Sequence, residues 1–521
     1  MWPDHWTPQV VHNHSQTADF VSLPHILAFL PDPTCTQTQN RNSMGNLASK
    51  TISGDGLALE NEKRNDLSGA VIDVSKPLSK NGAVPDVSSL SDGETEADSF
   101  VSSLSDPSLA RDSPLVRVPS SEGANLRCKP WDGKTLYSDF IQDGLNYLGK
   151  KADNVIMLYE SPSSSSTETS FFNNQTFPVH DYPAFPPPYK TVLAPLRYSI
   201  MNGAAYPSYL ADALPEGLLE HWERRVPNFV RPKFVNDLAD DATVYAYLPL
   251  EHIKHHLNDP HIHYHLAGKD AIHLMTKKTA KLLANTKDHR PCIAKVTHSM
   301  SSKGIFMIRS DDDEQELQNY LNESGNPNFV VTELVDIHRN VSCHFFIHPN
   351  GEIIWIGSSE NYKDENGEWS MDSIMLLDQQ DELRDLQLPY AREVADYCLS
   401  LNFWGFCGID VLFDSEGKGY VVDVNPRTTG TSPALMLAQL FEKQYGYRYG
   451  LMRRSSKFAF PGNSEELLRQ VEEFNESGQG RVVLLSFYEC APDKTWLNIA
   501  VHGTSLEECY KVLNRFAQPS A

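Results

Sequence analysis

A chain of 521 residues with 40% hydrophobic content has the material for a substantial core and, by length, for two to four structural units. Its formal net charge of -23 and pI near 5.2 argue against nucleic acid or an anionic membrane surface as the main partner. No stretch reaches the roughly 18 apolar residues of a transmembrane helix, and the first residues lack the basic flank and apolar core of a secretory signal, so the expected compartment is cytoplasmic.

Residues 1–127 are dominated by Ser, Thr, Asn, Asp and Pro, with acidic tracts such as Ser91 to Asp98. That composition buries too little apolar surface to offset the entropy of ordering, so a disordered acidic Ser-rich tail is expected. Gly45 to Thr51 has a phosphate-loop cadence, but Ser49 stands where the second glycine belongs and the spacing is one residue short. Eight cysteines are widely spaced with no C-x-x-C pair and read as buried reduced thiols.

Residues 128–265 read as an α/β domain, with strands at Asn154 to Tyr159, Thr191 to Ala194 and Thr243 to Leu248 and a helix from Gly217 to Arg225. A histidine cluster follows: His252, His255, His256, His261, His263 and His265. His252 and His256 have helical spacing, yet no H-E-x-x-H glutamate accompanies them and Pro260 breaks the register, so a polar approach to the next domain is the preferred reading.

Residues 266–437 form the second globular section. A helix through Met275 and Leu283 is expected, then a strand Pro291 to Val296, a Ser/Gly loop, a strand Ile305 to Ile308, an acidic helix Asp311 to Leu321 and a strand Phe329 to Val335. Val341 to Ile347 and Glu352 to Gly357 make a hairpin about Pro349-Asn350-Gly351, and a helix Tyr390 to Leu401 leads to a second hairpin. Antiparallel pairs alternating with helices indicate α+β layering. A helix Pro433 to Leu440 closes the section, and residues 438–521 read as a small C-terminal α/β subdomain in the order helix, strand, strand, helix.

The second hairpin carries the chemistry. Branched and aromatic residues flank Asp410 and precede Asp423, and Ser415 to Gly419 supply the turn, so the two acids fall on neighbouring strands. Asp423 and Asn425 are two apart and share a face. Polar groups facing the same way out of an apolar strand are costly to bury without a cation or donors. Three oxygen ligands suit Mg²⁺, which keeps several waters and takes further coordination from substrate phosphates.

In their order along the chain these segments resemble the ATP-grasp superfamily of carboxylate-amine ligases, over roughly Leu266 to Leu437, with Asp423-Val424-Asn425-Pro426-Arg427 as the most specific part. The resemblance implies an ATP-grasp fold with a preceding α/β domain, and it implies roles residue by residue. Lys269 and Lys295 would hold the nucleotide phosphates, the alternative for Lys295 being an edge-strand lysine that reaches solvent. Ser301, Ser302 and Gly304 would form a lid over the triphosphate. Glu333, Leu334 and Val335 would present backbone to adenine, and Asp336 would take a ribose hydroxyl or remain a solvated loop acid. Asp410, Asp423 and Asn425 would bind Mg²⁺, or Mn²⁺ in its place, with Asp423 where many members have Glu. Arg427 would meet the transferred phosphoryl or acyl-phosphate group, a salt bridge to a core acid being its alternative.

The implied activity is ATP-dependent activation of a small carboxylate as an acyl phosphate, followed by attack of an amine to form an amide with release of ADP and phosphate. Two alternatives stay open: carboxylation through carboxyphosphate, and a non-catalytic ATP-binding regulator. The implied partners are small-molecule carboxylate and amine substrates and, as in many members, a second copy in a homodimer.

Overall fold

The computed structural model describes residues 126–151, 153–160, 174–180, 186–299, 304–325, 327–363 and 369–519. The acidic tail, the Gly45 to Thr51 cadence, the Ser161 to Ser166 run, Ser301 and Ser302 lie outside the described residues. Among the described residues no helix is long and apolar enough to cross a membrane.

Strand β1 (Cys128–Pro130) leads into helix α1 (Tyr137–Tyr147), and a parallel sheet follows in the order β4 (Phe234–Val235), β3 (Ser208–Tyr209), β2 (Val155–Leu158), β5 (Thr243–Ala246). The strand expected at Thr191 to Ala194 is absent. Those residues lie in a wide helical turn, Tyr189–Leu193, that runs into helix α2 (Ala194–Ser199). The proline run before it seeds the winding: the Tyr189 amide donates to the Pro186 carbonyl at 2.9 Å and the Thr191 hydroxyl to that of Pro187 at 3.2 Å. Helix α3 (Leu218–Arg225) starts after Gly217, whose φ of 79° is the left-handed conformation glycine supplies.

Helices α4 (Pro260–Leu266) and α5 (Ile272–Met275) precede a three-stranded antiparallel sheet ordered β7 (Ile305–Ile308), β6 (Cys292–Val296), β8 (Phe329–Glu333). Helix α6 (Asp311–Glu323) covers it, packing Leu317, Tyr320 and Leu321 against Ala294 and Val296. The helix expected through Leu283 ends at Met275, because Thr276 is extended (φ -150°, ψ 149°) and the chain then satisfies its backbone on strand edges. Lys278 accepts from the Val421 amide at 2.8 Å, the Leu283 amide donates to Val331 at 2.9 Å, and Lys281 accepts from Glu333 at 2.9 Å. Likewise β8 stops at Glu333, not Val335, where the chain crosses to the large sheet.

That sheet runs β13 (Gly419–Asn425), β12 (Gly405–Phe413), β9 (Arg339–Ile347), β10 (Ile353–Lys363), β11 (Trp369–Leu376), β14 (Tyr449–Phe460), β16 (Lys494–Gly503), β15 (Arg481–Ala491), with β1 added on β10 and β17 (Gln518–Pro519) on β14. Helix α7 (Gln380–Ser400) starts ten residues before the expected Tyr390 and carries Pro389 inside it. It buries Leu383, Ala391, Val394 and Cys398 against Cys407, Ile409 and Val411 of β12. Strand alternation therefore turns Phe406, Gly408 and Asp410 to the opposite face.

Helix α8 (Ser432–Tyr445) spans the expected boundary at Leu437, and β14 pairs with β11, so the C-terminal strands continue the same sheet. Helices α9 (Ser464–Glu476) and α10 (Leu506–Phe516) complete that end.

Candidate nucleotide and metal site

The hairpin of β12 and β13 sets Asp410 directly opposite Asp423, Ile409 opposite Val424 and Gly408 opposite Asn425. The next pair is Val411 with Val421, which leaves Val422 as an extra residue, a bulge beside the two acids. A bulged carbonyl is free of the ladder, and here it serves a cation: the Lys295 ammonium donates to the Val422 carbonyl at 3.3 Å.

Asp410 is bound from the other side by the Ser342 hydroxyl of β9, itself held by the Asn361 amide at 2.8 Å. Burial, and then the facing charge of Asp423, push the Asp410 carboxyl up to about 6. The Lys269 ammonium lies 3.9 Å from Asp423 and donates to the Ser299 carbonyl at 3.0 Å. Lys269 is held by its own backbone, whose amide donates to Thr297 at the end of β6 at 3.0 Å. Lys295 is brought down to about 8 by burial, against the opposing pull of Asp423. Two carboxylates and two lysines thus meet at one strand end, below a cleft lined by Tyr264, Lys269, Ser299, Asp423, Asn425 and Arg427.

The oxygen set fits a hard cation with few protein ligands. Two acids whose mutual repulsion already raises one of them are stabilised by a divalent charge between them. Among the described residues no group of three or more His, Cys, Asp or Glu side chains forms a denser site. Asn425 is engaged differently from Asp410 and Asp423. Its Oδ1 accepts from the Arg427 guanidinium at 2.6 Å, while its Nδ2 points to Asp423 at 3.4 Å. A metal would draw on the amide oxygen only after a flip of that side chain. Among the described residues Arg427 forms no ion pair with a core acid; its guanidinium lies 4.4 Å from the centre of the Tyr247 ring.

Gly304 ends the loop after β6 at φ +68°, its carbonyl accepting from Val296 at 2.8 Å, and a Cβ there would lie 2.9 Å from the Val296 Cβ. Glu333 turns its carboxylate to the Lys281 amide at 2.9 Å. Leu334 and Val335 are half-buried in the crossing segment, and Asp336 is exposed.

The histidines do not converge. His263 is buried against Phe403 with 5.4 Å between ring centroids, His256 accepts from the Leu250 amide at 3.3 Å, and His265 meets Tyr397 at 3.3 Å. The described cysteines are free thiols.

Sequence reasoning missed Ser342, the Val422 bulge and two further arginines near the site, Arg197 and Arg454. The Arg453-Arg454 doublet on a strand was the readable signal, since alternation sends one of the two to each face.

Residues 273–425 match the model of a family described as L-aspartate--L-methionine ligase, ATP grasp. A search of curated proteins finds no match. Among solved structures, N5-carboxyaminoimidazole synthetase from Staphylococcus aureus complexed with ADP is 13% identical over 70% of this chain and 96% of its own, with a TM-score of 0.42. Biotin carboxylase from Campylobacter jejuni is 11% identical over 47% and 64%, with a TM-score of 0.33. With TM-scores under 0.5 these likenesses carry no weight for activity.

Proposed function

We propose, from the premise that this chain is an ATP-grasp enzyme of the ligase class whose matched domain spans residues 273–425, that it activates a small carboxylate with the γ-phosphoryl of ATP and couples it to an amine. The observation that carries this reading is the cross-strand pair Asp410 and Asp423 with Lys269 and Lys295 at the same strand end. A pair of acids among cations is a means of holding a metal-bound polyphosphate.

When bound, Mg²⁺ would neutralise charge on the phosphates and on the oxygen leaving with ADP. Asp410 and Asp423 would hold it, and the Ser342 hydroxyl keeps Asp410 aimed. Lys269 and Lys295 give point charges to phosphate oxygens, and the Val422 carbonyl keeps Lys295 turned toward the hairpin. Arg427, flat on Tyr247, presents its fork to the transferred group. The amine attacks the acyl phosphate directly, so no side-chain nucleophile is required. In this proposal residues 266–437 bind nucleotide and carry catalysis, residues 128–265 contribute substrate contacts, and residues 438–521 complete the sheet.

The test is ADP and phosphate release by the full chain with Mg²⁺ and ATP against pooled carboxylates and amines, read with product mass. L-aspartate with L-methionine, the pair in the matched family's description, comes first. ADP release that needs both acid and amine, with a condensed mass, is expected; tight ATP binding without turnover on any pool would overturn the ligase reading. Asp423→Asn is expected to abolish turnover while the protein still melts cooperatively.

A further inference from the structure

Residues 174–180 belong to the first domain by their place in the chain, yet they run along the cleft of the second. The His180 amide donates to the His298 carbonyl at 2.8 Å, and His180 bridges Ser299 in parallel, so this segment pairs with the start of the loop that follows β6. The Tyr264 hydroxyl of α4 donates to the Pro178 carbonyl at 2.7 Å. Phe177 is buried, with its ring 5.1 Å from that of His261 and 5.5 Å from that of Tyr264. Val179 lines the cleft together with Lys269, His298, Ser299, Asp423 and Arg427.

The start of the loop is firmly set. The His298 ring lies on the Tyr264 ring at 3.7 Å with 6° between their planes, and its Nε2 donates to the Tyr264 carbonyl at 3.0 Å. Ser299 then takes the Lys269 ammonium, on its carbonyl at 3.0 Å and on its hydroxyl at 3.3 Å. Lys269 is thus engaged by the loop. The open space among the lining residues is about 20 Å³, room for about one water, whereas sites for small ligands run to about 300–1,000 Å³. A triphosphate reaches Lys269 only if Ser299 gives way, and Ser299 is tied to His180.

The two ends of the segment are held unequally. At one end the Asn174 Nδ2 donates to the Pro249 carbonyl at 2.7 Å, and its Oδ1 accepts from the Phe177 and Glu251 amides at 3.3 Å each. The Glu251 carboxylate there accepts from the Gln175 amide at 2.9 Å and the Thr176 amide at 2.7 Å. At the cleft end Pro178 and His180 are held by neutral hydrogen bonds, which are weaker than bonds to a carboxylate. The first end is therefore the pivot and the second the end that opens.

We propose that residues 174–180 are a strap latched over the nucleotide cleft, and that the nucleotide enters only when the cleft end of the strap, with Ser299, moves off Tyr264 and Lys269. This rests on the reading of the cleft as a nucleotide site and adds a control on access to it. A ligand that binds only the open form has its affinity reduced by the rarity of that form, so a weaker latch gives tighter binding. A fixed wall of the site would behave oppositely, since damage to it weakens binding.

A non-hydrolysable ATP analogue with Mg²⁺ is titrated calorimetrically into the full chain, its association is followed by stopped flow, and exchange of the amides of residues 177–180 is followed by mass spectrometry with and without it. Tyr264→Phe removes only the hydroxyl that holds Pro178 and is expected to lower the Kd about two- to tenfold, with faster association and a Tm that is unchanged or lower. Phe177→Ala, outside the lining of the cleft, is expected to move the Kd in the same direction. In the wild-type chain the nucleotide is expected to speed exchange of the strap amides.

Unchanged or weaker binding in either folded variant, or exchange that the nucleotide slows or leaves alone, overturns the strap while leaving the nucleotide site standing. Binding by the variants and not by the wild-type chain supports both. No binding by any of the three proteins overturns the nucleotide site and the strap with it.

Discussion

Replacing Lys295 by Arg tests whether its ammonium grips the triphosphate. Lys295 donates to the bulged Val422 carbonyl at 3.3 Å, and burial brings its pKa down to about 8. A depressed lysine loses its charge as pH rises through that value, so binding that needs the ammonium weakens on the alkaline side. If only the protonated form binds, the apparent Kd scales as one plus ten to the power (pH minus 8). That factor is about 1.1 at pH 7, about 2 at pH 8 and about 11 at pH 9, a loss of about 1.4 kcal/mol across two pH units. An arginine keeps its charge throughout this range, so Lys295→Arg should flatten the profile even where its longer fork changes the absolute affinity. The assay is calorimetric titration of a non-hydrolysable ATP analogue with Mg²⁺ at pH 7, 8 and 9, with melting curves to show that the protein stays folded. A flat wild-type profile, or the same slope in Lys295→Arg, would refute the assignment of this charge to nucleotide binding.

Three further outcomes follow from contacts elsewhere in the fold. Glu472 of α9 accepts from His221 and Arg225 of α3, and although burial pushes its carboxyl up, these partners bring it from 4.5 to about 2. A depressed acid stabilises the fold above its ordinary pKa and ceases to do so as pH falls toward the folded value. Glu472→Gln should therefore cost about 1–2 kcal/mol at pH 7, discounted from the full shift because the carboxylate is partly solvated, and should flatten the fall of Tm between pH 4.5 and about 2. A Cβ on Gly408 would lie 2.4 Å from the Thr429 Cγ2, which is pinned by the 2.6 Å hydrogen bond between Thr429 and His344. Gly408→Ala should thus lose about 1–3 kcal/mol in urea unfolding. Removing residues 1–125 should leave Tm and turnover unchanged, whereas removal through Pro130 takes the buried Leu126 and the strand paired on β10 and should lower Tm; a collapse of turnover in the shorter deletion would make those residues part of the catalytic unit.

What the sequence makes legible here is what a strand enforces over a few residues. Asp423 and Asn425 share a face because alternation leaves no choice, and Asp410 faces them because a short turn joins the two strands. The bulge at Val422 could not be read that way. Either valine of the pair satisfies the local pattern, and the choice between them is made by register across the hairpin. The misread stretches have the same origin. Thr191 to Ala194 has the composition of a strand, but the prolines ahead of it set a helical turn. Residues 276–283 have an apolar rhythm compatible with a helix, but the free edges of β8 and β13 give their backbone better partners.

Arg197 and Arg454 mark the limit more sharply. Each looks ordinary in its own segment, one on a short helix of the first domain and one in a strand doublet near the C-terminus. They come together with Arg427 only in the folded chain, where all three charges act on the buried Tyr198. The candidate metal ligands Asp410 and Asp423 lie within one hairpin and are therefore visible in sequence. The buried cations around Tyr198 come from three distant segments of the chain, so no local pattern announces them. The cross-strand acids therefore carry a sharp expectation: a change at Asp410 or Asp423 should remove turnover for every acid, and turnover that survives on any acid would refute their assigned role.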